Sequence, residues 1–591
     1  MKKNHISRRS FADKDGHLYI FIICSWAVSI IWFHPRFTII YEVTPKGIAQ
    51  IALILLIFLI ESAWLYGFYN VGIVIFAWFY RHQERSQFLS ISEPPVSLED
   101  FAVALLYPTC NDFVEASAYS CVSQNYPNFT VYILDDSTDL EFQYRADRFA
   151  NRFPDKVCVI RRPDRRGFKA GNLNYALTNF AVNEPFFAIS DADEILPCDF
   201  LKCLVPILIK DEKCGFAQAN HCCNPNASNL LRAVLGTGID IHWRWYQPLR
   251  NKYGFVMLLG HGAVLRRKCW EKIGGFPEIV SEDLAYAIRL RDAGWYGKFV
   301  EDITCYEEFP ESVRSFRIRH MKWTRGTCEF LVTESKRWIL SKNISLLEKL
   351  DIFFPVMNLP FAVIFFPFVI CASLFIPNIW NYSYPVNTMG YGRELIFATS
   401  SSKVIYDIFG GPDFFLINLL TFIAPILCFI LELAPRPIYL MRFLCQSAVL
   451  YAGLYPLSIV GVLTYLITKR ADFLVTGDRS VSQDNIYAFL PISVWQRTKS
   501  YCRSFLYQSH PDNNAVKTWE IVCGLFLIFY GFFSFKIALI GLALTFLLQP
   551  MIHNIRWENR VIQRLIILPY SLISMDLLIR GLILFAWIRI K

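Results

Sequence analysis

Apolar residues are gathered along this chain in blocks, and that unevenness limits the folds open to it. They dominate before residue 81 and after residue 350, whereas 95–345 has the mixed composition of a globular domain. Over all 591 residues, 54% are apolar and 18% charged, too greasy a balance for a water-soluble protein of this length. A helix needs roughly 20 apolar residues to cross a bilayer, and several of the blocks reach that length. A polar domain enclosed between membrane segments follows.

The formal net charge of +9 fits this layout. Much of the Lys and Arg borders apolar runs (Lys2, Lys3, Arg8, Arg9; Lys469, Arg470; Arg556, Arg560), as membrane topology requires, and nucleic acid is not expected as a partner. Positive flanks at 2–14 and 81–85 put both ends of the first block in the cytoplasm, which needs an even number of crossings. We expect two, over 18–33 and 48–80; the second could split only by turning near Gly67–Asn70. No small-residue cleavage site closes the first run, so it reads as an anchor. Downstream lie candidates at 353–380, 414–433 and 441–468, then a cytoplasmic-looking stretch at 469–501. Segments 519–535, 537–552 and 565–588 follow, the last carrying Asp576 and Arg580 one turn apart. The same charge rule demands an even count between 353 and 468, where three candidates stand.

Eleven of the 17 cysteines fall in the globular segment without regular CxxC pairs, which suits reduced thiols in a cytosolic domain. Pro94-Pro95 opens that segment. Apolar runs at 101–106, 131–134 and 186–189 each end in a polar cluster and alternate with helical patterns, as in a βαβ sheet. Ligands of such sheets sit beyond the carboxyl ends of the strands, so chemistry is sought in those clusters.

Asp191-Ala192-Asp193 follows the third run. Two carboxylates at a strand end suit a divalent ion bound to a diphosphate, although a solvated loop carries the same pattern. Asp135-Asp136 follows the second run and can accept hydrogen bonds from a base or ribose, or form an Asx turn. Lys169-Ala-Gly-Asn-Leu-Asn174 sets a cation and a glycine before a helix start, a fit for phosphate. Ser281-Glu282-Asp283 is either a helix cap or the seat of a general base that takes a proton from a sugar hydroxyl. Arg319, Lys322 and Trp323 share one helix face, suited to a leaving diphosphate and a stacked sugar, or to anionic lipid.

In this order the motifs resemble those of the processive family 2 glycosyltransferases of the cellulose synthase superfamily. That family carries D-D, D-x-D, T-E-D and Q-x-x-R-W in series on a cytosolic GT-A domain followed by transmembrane helices. Pro108-Thr109-Cys-Asn-Asp112, Gly274-Gly275-Phe276 and Phe473-Leu-Val-Thr476 extend the match, the last resembling the F-x-V-T gating loop. The resemblance implies an α/β GT-A domain (Rossmann-like mixed sheet) over 91–345. It also implies an N-terminal tail with two helices over 1–90, and membrane and interfacial helices over 346–591 with a gating-like loop at 469–501. Thr109, Asp135 and Asp136 would hold the nucleoside, Lys169 and Thr476 the diphosphate, and Asp191 with Asp193 Mg²⁺ or Mn²⁺. Asp283 would be the base of an inverting displacement. Arg319 and Lys322 would face the diphosphate. Trp323, Glu282 and His261, the last in the turn Leu259-Gly260-His261-Gly262, would meet the acceptor.

Arg319 stands where the family has Gln and Lys322 where it has Arg, which gives up a planar fork for a point charge. Asp478 replaces a basic residue, with Arg479 next to it. These departures move the chain off the cellulose branch. The expected activity is transfer of a sugar, glucose from a UDP-sugar, to a growing β-linked glycan at a bacterial inner membrane, with export through the chain's own helices. An accessory export subunit is left open as a partner. The alternative is a non-processive enzyme that glycosylates a membrane lipid.

Overall fold

The computed structural model describes residues 14–83, 98–226, 229–375, 409, 411–471, 510–534 and 536–590. Its polar domain is built on seven strands: β1 (Val103–Thr109), β2 (Phe129–Asp135), β3 (Val157–Ile160), β4 (Phe186–Ile189), β5 (Cys214–Cys223), β6 (Ala263–Arg266) and β7 (Tyr296–Glu307). They lie in the order β3-β2-β1-β4-β6-β5-β7. β3, β2, β1 and β4 are mutually parallel, β6 runs antiparallel to both its neighbours, and β5 pairs parallel with β7. This is the mixed sheet of the expected GT-A class.

Period-two alternation builds its two faces. Along β1, Val103, Leu105 and Tyr107 enter one core, while Ala104 and Leu106 enter the other. The first core is covered by the helix Phe200–Lys210, the second by Phe168–Asn179 and Glu282–Asp292. With apolar residues on both faces the sheet is buried, so its polar ends are where a ligand can reach it. The strand order reverses at β1, whose chain leads to β2 on one side while the parallel β4 is added on the other. The crevice at that switch point opens beside Thr109 and Ser190.

Apolar helices flank the domain. His17–Val43 and Ile48–Gln83 pack on each other, and the second runs unbroken through Gly67–Asn70. Gly67 serves close packing there, since a Cβ would come within 2.9 Å of Thr421. Among the described residues six helices are long and apolar enough to cross a membrane, or seven if the pair Leu346–Met357 and Pro360–Ala372, bent by 59°, is one span.

One of the six lies differently. Pro437–Thr468 follows the polar domain along its length. Tyr439 OH meets Thr237 Oγ1 at 2.8 Å, Ser458 Oγ meets the His320 ring at 2.7 Å, and Gly461 packs on Met321 and Thr324. Asp576 and Arg580 form an intrahelical ion pair at 2.8 Å on Ile567–Ile590. All sixteen described cysteines are free thiols.

Candidate active site

Two loops knit the left side of the crevice. The Asp112 carboxylate accepts hydrogen bonds from Thr109 Oγ1 at 2.8 Å and Cys110 N at 2.6 Å, and Asp136 N donates to Thr109 O. Asp135 is buried: it accepts from Ser137 N and, at 2.8 Å, from Arg161 Nε, so the Asx turn is present. Asp136 receives both Nε and Nη2 of Arg162, at 2.9 and 2.7 Å. Arg162 also donates to the carbonyls of Arg166 and Phe168, which fixes the loop that leads to Lys169. Thr109, Asp135 and Asp136 thus form one hydrogen-bonded edge, with Arg161 and Arg162 as its cations.

Opposite stands a charge cluster. The Lys169 ammonium pairs with Asp191 and donates to Gly260 O at 3.0 Å. Burial works against that charge, but the carboxylates of Asp191, Glu282 and Asp283 outweigh it and raise the Lys169 pKa. Lys169 and His261 in turn outweigh the desolvation of Asp191 and hold it below the usual carboxylate range. Glu282 and Asp283 form the first turn of Glu282–Asp292, where a carboxylate is favourable. Ser281 makes no side-chain cap. Asp283 Oδ1 accepts from Leu284 N at 2.7 Å, while its other oxygen abuts Gly260, whose φ of +86° and lack of a Cβ permit the approach. Burial and the adjacent Asp283 push Glu282 up to about 7, and burial raises Asp283 as well.

The third wall is the helix Val313–Leu340. It reaches Ser281 through Gly326, where a Cβ would lie 2.9 Å from Ser281 Oγ, and Glu329 accepts from Val280 N. The wall therefore registers Lys322 against the acidic pair: burial lowers the Lys322 pKa, and Glu282 and Asp191 partly restore it. The Arg319 guanidinium lies 4.8 Å from the Trp323 ring centroid and 5.3 Å from that of Phe309. Its Nε and Nη2 are buried with no hydrogen-bond partner. Trp323 is 46% exposed, an open aromatic face at the rim.

Behind Asp193 lies a group that sequence reasoning missed. Glu194, His221 and His261 each offer a ligand atom, all within 4.8 Å of one another. The two imidazoles stack at 4.3 Å, and His261 Nδ1 stands 3.1 Å from Glu194 Oε1. Both of those atoms are buried without a hydrogen-bond partner. A Cβ on Gly262 would come within 2.4 Å of His221 Nε2 and 2.6 Å of Glu194 Oε1, so glycine keeps this cradle open. Gln218 braces it by donating to the carbonyls of His261 and Gly262. Orphaned donors of this kind, in a space kept clear, fit a divalent cation.

Without one, Glu194 and Asp191 raise His261 to about 10 against the cost of its burial, whereas burial and His261 keep His221 well below its usual value. Asp193 opens to solvent in the crevice, yet the protein packed around it and the Asp191 charge push it up to about 6. Glu307 is pushed up to about 7 by burial and reaches toward His261 at 3.9 Å.

The structure brings Lys169, Asp191, Glu282, Asp283, His261, Arg319 and Lys322 to one crevice, with Thr109, Asp135 and Asp136 on its other edge and Trp323 at its rim. The second asparagine of the glycine-containing motif, Asn174, is architectural: it accepts from Phe276 N and Trp270 Nε1 and so holds the Gly274-Gly275-Phe276 turn. Thr476 and the gating-like loop around it lie outside the described residues. Glu194 directly follows the D-x-D pair and could have been flagged on that ground. His221 sits mid-strand beside Cys222-Cys223, and only the β5–β6 pairing reveals its place.

Known proteins resemble this chain over part of its length. The family described as "Glycosyl transferase family group 2" matches residues 186–459. The chain is 27% identical over 232 residues to glucomannan 4-beta-mannosyltransferase 1 of Cyamopsis tetragonoloba, covering 38% of this chain and 44% of that one. It is 26% identical over 261 residues to the probable glucomannan 4-beta-mannosyltransferase 11 of Arabidopsis thaliana, 42% and 59% of the respective chains. The chain thus spans about half the length of the curated relatives it matches. Among solved structures, the mannosyltransferase PcManGT from Pyrobaculum calidifontis, in complex with GDP-Man and Mn²⁺, is 18% identical, with a TM-score of 0.40 over 63% of this chain and 96% of that one.

Proposed function

We propose that the chain is a family 2 glycosyltransferase of the cellulose synthase superfamily, a reading its similarity to that family and to the mannosyltransferases supports, and that it transfers a sugar from a nucleoside diphosphate to a β-linked glycan at a membrane surface, with inversion. The observation that carries this reading is the meeting of Asp283, Lys169, Lys322 and the Asp191–Asp193 turn in one crevice beneath the apolar helices. Mannose replaces the expected glucose as the sugar, since the curated relatives are named as mannosyltransferases.

Asp283 takes the proton of the acceptor hydroxyl as that oxygen attacks the anomeric carbon from the face opposite the diphosphate. A sugar hydroxyl is a poor nucleophile until its proton begins to leave, so a carboxylate with a raised pKa suits the task. The leaving diphosphate gathers charge, which Lys169, Lys322 and Arg319 neutralise; the unpartnered Arg319 nitrogens are free to receive it. Trp323 supplies the stacking face for the acceptor ring. Asp191, Asp193, Glu194, His221 and His261 are the residues that would hold a divalent cation. That cation would draw charge from the diphosphate, and mixed carboxylate and imidazole donors favour Mn²⁺ over Mg²⁺.

The charge rule supports a cytosolic domain. With Pro437–Thr468 lying on that domain, two candidates remain among the described residues between 353 and 468, the even number required. The helices that cross would carry the product outward. The test is purified full-length protein in nanodiscs, given GDP-mannose, UDP-glucose and other sugar nucleotides, with size and linkage analysis of the product. A β-linked mannose-containing polymer is expected. A single sugar on an extractable lipid would replace this reading with glycolipid synthesis.

A further inference from the structure

A cavity of about 640 Å³ shares no residue with the catalytic crevice. It lies between the helices Pro437–Ser447 and Ile567–Ile590. Its size is that of small-molecule sites, roughly 300–1,000 Å³. Ile567, Met575 and Leu578 make an apolar wall along the membrane helix, and Met441 lines the cleft from the other helix. Arg442, Gln446 and Gln563 close the other end, where Gln446 Nε2 donates across the cleft to Gln563 Oε1 at 3.1 Å.

The polar end stands at the level of the polar domain. Leu230 N donates to Glu558 in the turn before Arg560, and Thr237 meets Tyr439 one turn before Arg442. Arg442 lines this end, and Arg436, Arg556, Arg560 and Arg564 lie close in the chain to its lining residues Met441 and Gln563; all five are exposed. None has a carboxylate partner among the described residues. The arginines on the adjoining domain surface behave otherwise: Arg232 pairs with Glu308, Arg244 with Glu432 and Arg314 with Asp512. Arg560 and Arg564 are one turn apart on the helix Arg560–Leu565 and share a face.

A cationic mouth at the membrane–water boundary, opening onto an apolar wall that runs down a membrane helix, matches one kind of molecule. A soluble anion has no use for the wall, and a neutral lipid has none for the arginines. We propose that this cleft binds an anionic glycerophospholipid from the leaflet facing the polar domain, with its phosphate on Arg442 and Arg564 and an acyl chain along Met575 and Leu578. Basic pockets between membrane helices on the cytoplasmic side recognise lipid headgroups by this chemistry. The inference rests on the reading that residues 560–590 lie in the bilayer, and not on the reaction proposed above.

The full chain, purified in a mild detergent, is analysed by native mass spectrometry and by extraction of its lipids. Retained glycerophospholipid is expected on the parent protein. Arg442→Ala should cut its occupancy about fivefold, the worth of one arginine near a lipid surface. Ser574→Trp, which fills the cleft without touching the charge, should remove it. In a second measurement, melting temperatures are compared in phosphatidylglycerol and phosphatidylcholine nanodiscs. The parent should melt higher in phosphatidylglycerol, and Arg442→Ala should lose much of that difference. Equal retention by the parent and both variants overturns the proposal, and so does an identical melting temperature for the parent in the two lipids. Recovery of a polyprenyl phosphate in place of the glycerophospholipid also overturns it. None of these readouts uses sugar transfer, so they stand apart from the outcome of the donor panel.

Discussion

Arg317 and Glu520 form an ion pair at 2.7 Å with neither side chain exposed, and it ties the helix that carries Arg319, Lys322 and Trp323 to the membrane helix Asn514–Phe533. Arg314 and His553 converge nearby on Asp512, at 2.6 and 2.8 Å. The basic-aromatic wall of the crevice is therefore fastened to the apolar helices through buried charge. Removing one partner strands the other in a dry setting, which costs about 3–5 kcal/mol, whereas replacing both with apolar residues of similar size is often neutral. Glu520→Leu alone should lower thermal stability in detergent sharply, and Arg317→Met with Glu520→Leu should recover most of the loss. If Glu520→Leu melts with the parent protein, the pair contributes nothing to the junction.

As the proposed base, Asp283 would work only when ionised. Its pKa is raised by burial, so it gains a proton at a higher pH than an ordinary Asp, whose value is about 3.9. The acid limb of kcat/KM should accordingly lie above that value, with activity lost as pH falls through it and a plateau on the alkaline side. Asp283→Asn should keep nucleotide binding and the fold while lowering kcat by roughly 10²-fold or more. Turnover near that of the parent in this variant would take Asp283 out of the mechanism.

If the donor set behind Asp193 holds the proposed cation, the reaction depends on metal and the mixed carboxylate and imidazole donors set the order of metals. Chelation with EDTA should abolish transfer, and Mn²⁺ should restore it at lower concentration than Mg²⁺. Asp193→Ala should stay inactive at any metal concentration. His221→Ala should raise the Mn²⁺ needed by at least about tenfold, a shift that Mn²⁺ binding followed by electron paramagnetic resonance would report without turnover. Full activity in excess chelator would leave Lys169, Arg319 and Lys322 as the charges that neutralise the diphosphate.

How far the sequence could be read depended on whether neighbours in space were neighbours in the chain. β1, β2 and β4 were legible because each is an apolar run stopped by a polar cluster, and the carboxylates of those clusters reach the crevice. β5 and β7 were not: Gln218 and His221 interrupt the apolar pattern of β5 to serve the site, and Lys298, Glu301 and Asp302 interrupt that of β7. Glu194, His221 and His261 come from three separate segments, and the antiparallel β4–β6 and β5–β6 pairings bring them together. Arg162 was missed for the same reason: its bond to Asp136 crosses from the end of β3 to the end of β2. Hydropathy also left one helix, Pro437–Thr468, undecided between a span and a surface helix. A segment that lies between a polar domain and membrane helices is apolar on nearly every side, so its composition is that of a span.

That helix yields the sharpest test of the topology. Pro437–Thr468 has 32 residues, about 48 Å of helix, long enough to cross a bilayer whose core is about 30 Å thick. Its contacts with Thr237, Gly238, His320 and Thr324 run from one end to the other, so a crossing would pull the polar domain into the lipid. Both ends should therefore face the same compartment. Ile438 is 86% exposed at the start, and Arg470 is exposed just past Lys469, whose positive φ closes the helix. On a background without native thiols, cysteines at 438 and 470 should both react with an impermeant maleimide in inverted vesicles and both resist it in intact cells. Labelling from opposite sides would make the helix a crossing. It would restore an odd count between residues 353 and 468, and place residue 471 onward across the membrane from the crevice it is proposed to serve.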